Sequence, residues 1–181
     1  MKSGGRLIAV DSVSGAAVLA AAKDLRADGR KGAGISQWDA SGVFGDLDCD
    51  GHNRPSPRVL LLLYATDLAF RLRWEIQPAL AGGRIVIAAS YVDTAIAFGR
   101  AAGLRGNWLT NLFGFAPVAA ESHRIAPPKA ASGRDGFIEF GCDRMASARK
   151  GLSQHRMMER ASAFLKKNDR RETTGVWRLQ P

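Results

Sequence analysis

The sequence predicts one α/β domain built on a central, mainly parallel β-sheet flanked by helices. Residues 7–10 (LIAV) and 84–89 (RIVIAA) are short, continuous apolar runs bounded by polar or glycine-rich turns, the pattern of strands buried on both faces. Each precedes a stretch with apolar residues at three- to four-residue spacing, and strands alternating with helices imply crossover units and a parallel sheet. The 181 residues, 46% hydrophobic and 24% charged, have the size and composition of a single globular domain, so residues 1–181 are read as one unit.

The first unit is RLIAVDSVSGAAVLAAAKDL, residues 6–25. It reads as a strand at 7–10, a small-residue loop at 11–17 and a helix at about 17–27 stopped by Gly29. A phosphate-binding loop, G-x-x-x-x-G-K-[ST], belongs at such a strand–helix junction, where backbone N–H groups surround phosphates and the Lys and hydroxyl meet phosphate and metal. In that register Ser12 stands for the first Gly, Gly15 keeps the tight turn, Ala17 stands for the second Gly, Val18 for the Lys and Leu19 for the hydroxyl residue. The shape of a nucleotide kinase is kept, and the groups that would neutralise a polyphosphate are replaced by small and apolar ones.

A second strand is expected at 32–36, followed by a Gly-, Asp- and Pro-rich loop over 37–57. Within it Asp46, Asp48, Asp50 and Gly51 open like a calcium loop, but its twelfth position is Pro57 instead of a bidentate Glu, so a surface loop is the expectation. Residues 57–81 predict a long helix from the spacing of Val59, Leu62, Leu63, Thr66, Phe70, Trp74 and Leu80. Pro78 should bend its last turn, and Gly82 and Gly83 end it. The strand at 84–89 follows, then a helix at 93–102, a helical or irregular stretch at 107–115 and a strand at 119–125 that is poor in β-branched residues. Pro127 and Pro128 break that strand, 133–141 reads as loop, 144–167 as helix and 175–179 as the last strand.

Composition excludes several classes. No apolar run approaches the roughly 20 residues of a bilayer span and the start lacks a signal-peptide core, so an intracellular chain, in the cytoplasm or an organellar matrix, is expected. Cys49 and Cys142 form neither a CxxC pair nor a disulfide framework. His52 and His123 have no paired ligand at i+3 or i+4 and His155 lies on a basic helical face, no metal site is predicted, and Trp38, Trp74, Trp108 and Trp177 read as core or interface residues. The formal charge of +9 suits an acidic partner of any kind, and the cations are densest between Arg144 and Arg178.

YATDLAFRLRWEIQPALAGGRIVIAASYVDTAIAF, residues 64–98, resembles the middle of thymidylate kinase. There an aromatic-Ala-x-[DN]-Arg helix ends in Pro-Ala-Leu-x-x-Gly, followed by an apolar strand and an Asp-Arg-Tyr turn. The similarity extends back to the junction at 11–19 and forward to Ile125-Ala126-Pro127-Pro128, about two-thirds of the chain. It implies a three-layer P-loop kinase-like fold, a lid-like region near 133–152 carrying Arg134, Asp135, Asp143, Arg144, Arg149 and Lys150, and a homodimer as in that family. Carried over by position, Tyr64 matches the aromatic that stacks on the base, Phe98 the aromatic that closes the pocket, Tyr91 the Tyr of Asp-Arg-Tyr, and Asp67 the residue before the base-reading Arg. The losses are as specific. That Arg is Leu68, the Asp and Arg of Asp-Arg-Tyr are Ala89 and Ser90, and Gln37-Trp38-Asp39 replaces an Arg-Glu-Pro element.

Phosphoryl transfer rests on positioning and charge stabilisation, and losing one such group costs about 3 kcal/mol of transition-state stabilisation. Several are absent together. The expectation is therefore a catalytically inactive relative that needs no cofactor and acts as a structural or regulatory subunit bound to another protein or complex. An active nucleoside monophosphate kinase using ATP and Mg²⁺ with a variant loop, and a nucleic-acid-binding module, are the alternatives. The expected contact set on the basic helix is Arg149, Lys150, Arg156, Arg160, Lys166 and Lys167.

Overall fold

Two apolar strands, β1 (Arg6–Asp11) and β3 (Ile85–Ala89), lie side by side at the centre of a four-stranded sheet. β2 (Gly34–Gln37) pairs with the outer side of β3 and β4 (Glu121–Arg124) with the outer side of β1, giving the order β2-β3-β1-β4 with every pairing parallel. The computed structural model describes residues 4–28, 30, 32–40, 55–126 and 154–172. The apolar runs predicted as buried strands take the middle because only a central strand can cover both faces: Ile8, Val10 and Ile87 have no solvent exposure. The fourth strand is shorter than expected, four polar residues (ESHR) held by Arg6, Arg30 and His123 around Glu121. Its Glu121 carboxyl is held below the usual range, first by the hydrogen bond with His123 and further by the two arginines.

Helices flank the sheet. α1 (Gly15–Ala27) begins two residues earlier than the sequence predicts, because Ser14 supplies its N-cap by accepting from the Ala17 N–H. α2 (Pro57–Arg71) is capped by Ser56, with Pro57 in the first turn. It continues without a break through a π-helical turn (Leu72–Ile76) into α3 (Gln77–Ala81). The predicted bend at Pro78 is thus resolved one turn upstream: a proline ring crowds the carbonyl four residues before it, and the wide turn, with Gln77 N–H donating to the Leu72 carbonyl, gives that room. Gly83, at φ 75°, lets the chain reverse from α3 into β3.

α4 (Val92–Ala101) packs against β1, α2 and α6 (Gln154–Glu172), while α5 (Gly106–Leu112) crosses the far end of α4. Met157, Ala161 and Leu165 of α6 are buried. The expected helix at 144–167 is therefore present from Gln154 onward. Its earlier part, the loop at 41–54, the region at 133–152 and the strand at 175–179 lie outside the described residues. No helix among the described residues is long and apolar enough to cross a membrane.

Gly99 marks a tight helix contact. A Cβ there would approach Leu109 and Leu61 side-chain carbons at 2.9 Å, well inside van der Waals contact. Gly99→Ala is expected to lower stability by about 1–3 kcal/mol through overpacking, read as a reduced urea midpoint at unchanged slope.

Candidate functional site

The four strands run the same way, so their carboxyl ends share one edge. The register sets Asp11 beside Arg124, and Val10 and Gln37 on either side of Ala89. In open parallel α/β sheets ligands bind outside this edge. Ser12, Val13, Ser14 and Gly15 follow β1 there, and all four are buried.

The β1–α1 junction is a three-residue turn, and four N–H groups along it and the first turn of α1 are used within the protein. Ser12 N–H donates to Thr94 Oγ1 at 3.3 Å, Ser14 N–H to Ser12 Oγ at 3.3 Å, Ala17 N–H to Ser14 Oγ at 3.3 Å and Val18 N–H to the Ser14 carbonyl at 3.0 Å. A phosphate cradle needs such N–H groups pointing at the ligand. Gly15 lies in the first turn of α1 and takes no left-handed conformation, unlike Gly32, Gly83 and Gly103. Val18 is buried and Leu19 half-buried, and with Gly15, Gln37, Trp38, Ala89 and Ser90 they line a cavity of about 10 Å³, the space of a single water. Trp38 is fixed there by its N–H, which donates to the Ala89 carbonyl at 2.9 Å. A larger cleft of about 530 Å³ lies along the β2 edge, lined by Gln37, Trp38, Asp39, Glu75 and Arg84 among others.

Asp11 closes the edge from the other side. Its Oδ1 accepts from Tyr91 N–H at 3.0 Å, Thr94 N–H at 2.9 Å and Thr94 Oγ1–H at 2.7 Å. Tyr91 is the N-cap residue of α4 and makes no side-chain cap of its own, so the Asp11 carboxylate caps that helix from 80 residues away in sequence. Burial, reinforced by the nearby Asp93 carboxylate, raises the Asp11 pKa from 3.8 to about 6 against the lowering effect of these hydrogen bonds. Asp93 is in turn clamped by Arg124, whose Nε and Nη2 both donate to Oδ2, at 2.9 and 2.6 Å.

The residues singled out on α2 and α4 converge below this edge. Tyr64 and Phe98 have no exposure and Tyr91 is buried. Tyr64 Oη–H donates to the Tyr91 carbonyl at 2.7 Å and lies 3.0 Å from Ser90 Oγ, and its ring meets Phe113 edge-on at 5.9 Å. Tyr91 Oη–H donates to the Pro117 carbonyl at 2.6 Å. Burial pushes both phenols well above their ordinary range. Asp67 is also fully buried, its Oδ2 3.6 Å from Arg71 Nε, and Arg71 Nη2 donates to the Ser90 carbonyl at 2.7 Å. Arg71 Nε and Nη1 meet no hydrogen-bond acceptor among the described residues. The structure thus brings Tyr64, Asp67, Tyr91 and Phe98 together with Ser12 and Ser90, as parts of a closed core rather than as walls of an open pocket.

Sequence reasoning missed Asp11, Thr94 and Arg71. Arg71 stands three residues after Leu68 and so on the same helix face, a spacing that was available to be read. Asp11 ends an apolar strand and Thr94 opens a helix, but only the fold joins them. Among the described residues no group of His, Cys, Asp and Glu is placed to hold a metal ion.

The strand order, the all-parallel register and the helix that follows β1 define a three-layer α/β fold of the P-loop kinase kind. Solved structures agree. The thymidylate kinase of Ehrlichia chaffeensis matches with a TM-score of 0.60 at 17% identity, over 92% of this chain and 89% of that one. No family model matches the sequence, and no curated protein matches it.

Proposed function

We propose that this chain is a catalytically inactive relative of the thymidylate kinases that serves as a structural or regulatory subunit of a larger assembly. The observation that carries the reading is the β1–α1 turn: its amide groups bond to Ser12, Ser14 and Thr94, and a buried carboxylate, Asp11, stands behind it. An arriving phosphate would meet Ser12, Ser14, Ala17 and Val18 amides already bonded, the apolar Val18 and Leu19 where a Lys and a hydroxyl are needed, and a carboxylate of its own sign. Burying phosphate oxygens against unpaired apolar groups is prohibitive. The four pocket residues Tyr64, Asp67, Tyr91 and Phe98 serve stability in this reading, and no cofactor is required.

The test is transfer of the γ-phosphoryl of Mg²⁺·ATP to dTMP, and to the other nucleoside monophosphates, at stoichiometric protein. The expected result is no product above a buffer control. Saturable turnover with any of them overturns the reading in favour of a variant-loop kinase.

The exposed face of α6 favours a second reading, nucleic-acid binding: Arg156, Arg160, Lys166 and Lys167 are all exposed on the side opposite its buried Met157, Ala161 and Leu165. It predicts affinity for duplex DNA whose logarithm falls with log salt at a slope of about 0.9 per neutralised phosphate. Affinity that is absent, or flat in salt, removes it.

A further inference from the structure

Along a parallel strand, the N–H and C=O groups of successive residues turn to alternate sides. Trp38 N–H donates to the Ala89 carbonyl at 2.9 Å, so Trp38, Ser36 and Gly34 turn their main-chain groups toward β3, and Ile35 and Gln37 turn theirs outward. Those outward groups take no partner among the described residues. A Cβ added at Gly34 would meet nothing within 4 Å, so there is room beside the strand. Gly32, at φ 91°, and Asp39, at φ 57°, turn the chain at either end of this edge. The opposite edge is of another kind. β4 is ESHR, held by charged contacts, whereas β2, GISQ, carries no charge, and charged side chains are a common guard on an edge strand.

The cleft of about 530 Å³ runs along this edge, with residues 34–40 on one side and Glu75, Ala79 and Arg84 on the other. Its far wall carries two opposite charges. Glu75 accepts from Ser36 Oγ at 2.6 Å, and Ser36 stands opposite Ala88, four residues after Arg84. The acid and the base are therefore four positions apart along the edge, about 13 Å. Neither has an ion-pair partner among the described residues. A strand laid antiparallel on β2 meets Glu75 first and Arg84 four residues later, on one face because side chains alternate. Antiparallel pairing is also slightly the more stable per residue. A second copy fits worse: pairing Ile35 with Gln37 of the copy centres on Ser36, which sets Glu75 against Glu75 and a charge of +9 against +9.

We propose that the outer edge of β2 takes an extended segment of a partner protein as an added antiparallel strand, with a Lys or Arg facing Glu75 and, four residues later, an Asp or Glu facing Arg84. This deepens the subunit role proposed above by naming the form of the partner, and it rests on that role. It also places the contact on the sheet edge instead of on the basic face of α6. Main-chain bonds to Ile35 and Gln37 supply affinity, and the two charges set direction and register.

The full-length protein is titrated into a fluorescein-labelled peptide of roughly nine residues, alternating threonine and valine, in which a lysine precedes a glutamate by four positions. A second probe has the glutamate first. A third is the lysine-first peptide N-methylated at the residues on either side of the lysine, whose N–H groups would face Gln37 and Ile35. Fluorescence anisotropy is expected to show saturable binding of the lysine-first peptide and at least tenfold weaker binding of the other two. Gln37→Pro removes an outward N–H, a change that edge strands tolerate, and should weaken the lysine-first peptide at least tenfold. Glu75→Lys/Arg84→Glu, at two exposed positions, should reverse the preference between the first two probes, and guards against a folding defect in the proline variant. Replacing Arg156, Arg160, Lys166 and Lys167 together by Ser should leave the affinity within twofold.

The proposal is overturned if no peptide binds at up to about 1 mM protein, or if the glutamate-first or N-methylated peptide binds as tightly as the lysine-first one. It is overturned equally if Gln37→Pro binds as wild type does, if the charge exchange leaves the preference unchanged, or if affinity follows the α6 variant. It is overturned in favour of a second copy if sedimentation velocity shows a dimer that Gln37→Pro disperses. The phosphoryl-transfer assay on the same preparation reports separately: turnover refutes catalytic inactivity, and absent peptide binding without turnover refutes only this docking edge.

Discussion

Replacing Arg71 by methionine is expected to cost the fold about 3–5 kcal/mol, measured as a fall in urea stability. Arg71 and Asp67 are both fully buried, one helical turn apart, and Arg71 also donates to the Ser90 carbonyl behind β3. Removing the cation takes the charge partner from the Asp67 carboxylate in a low-dielectric core and frees the Ser90 carbonyl. Removing both charges together avoids the first penalty but not the second, so Asp67→Leu/Arg71→Met should recover part of the loss. A cost below about 1 kcal/mol for the single variant would mean that water reaches the pair.

Asp11→Ala is expected to be nearly as damaging, at about 3 kcal/mol, because it leaves the buried N–H groups of Tyr91 and Thr94 without an acceptor and the Thr94 hydroxyl with only the Ser12 carbonyl at 3.3 Å. The same residue makes stability depend on pH. Its pKa is raised from 3.8 to about 6, so the folded protein holds this proton more tightly than the unfolded chain does. The contribution is therefore fully present below pH 3.8 and is lost as pH rises through about 6, an amount of about 3 kcal/mol for a two-unit shift. Asp11→Asn keeps an acceptor oxygen and removes the titration. The difference in urea stability between wild type and Asp11→Asn should therefore change across this window and be flat above it. Glu121, with its lowered pKa, works in the opposite direction, adding stability that is lost as pH falls, and it cancels in that difference. A difference that stays constant from pH 4 to 7 would show that Asp11 titrates as an ordinary carboxylate.

These two residues also mark where the sequence stopped being legible. The central strands were readable because LIAV and IVIAA are short continuous apolar runs that can be buried on both faces. α1 starts two residues before the expected Ala17, and Ser14, directly before Gly15, is the N-cap signal that marks its start. The strand expected at 119–125 is present as β4, but its ends were not legible: it is ordered by Glu121 and its arginines, contacts that only the folded chain brings together. Asp67 was legible only through the resemblance, and its pairing with Arg71 in the core follows from how α2 lies on the sheet. Trp74 was read as core or interface; its 66% exposure sets it outside the core. The losses at Val18, Leu19, Leu68, Ala89 and Ser90 were visible residue by residue. The Asp11 carboxylate that caps α4 joins residues about 80 apart and was not.

The central claim is that the β1–α1 turn no longer receives phosphate, and amide NMR of Ser12, Val13, Ser14, Gly15, Ala16, Ala17 and Val18 during titration with Mg²⁺·ATP tests it most directly. Because the Ser12, Ser14, Ala17 and Val18 N–H groups are already bonded to Thr94, Ser12 and Ser14, their resonances are expected to stay in place up to millimolar nucleotide. A saturable shift of these amides at or below about 1 mM would contradict the account, since it would mean the turn opens and a phosphate takes the place of its internal bonds.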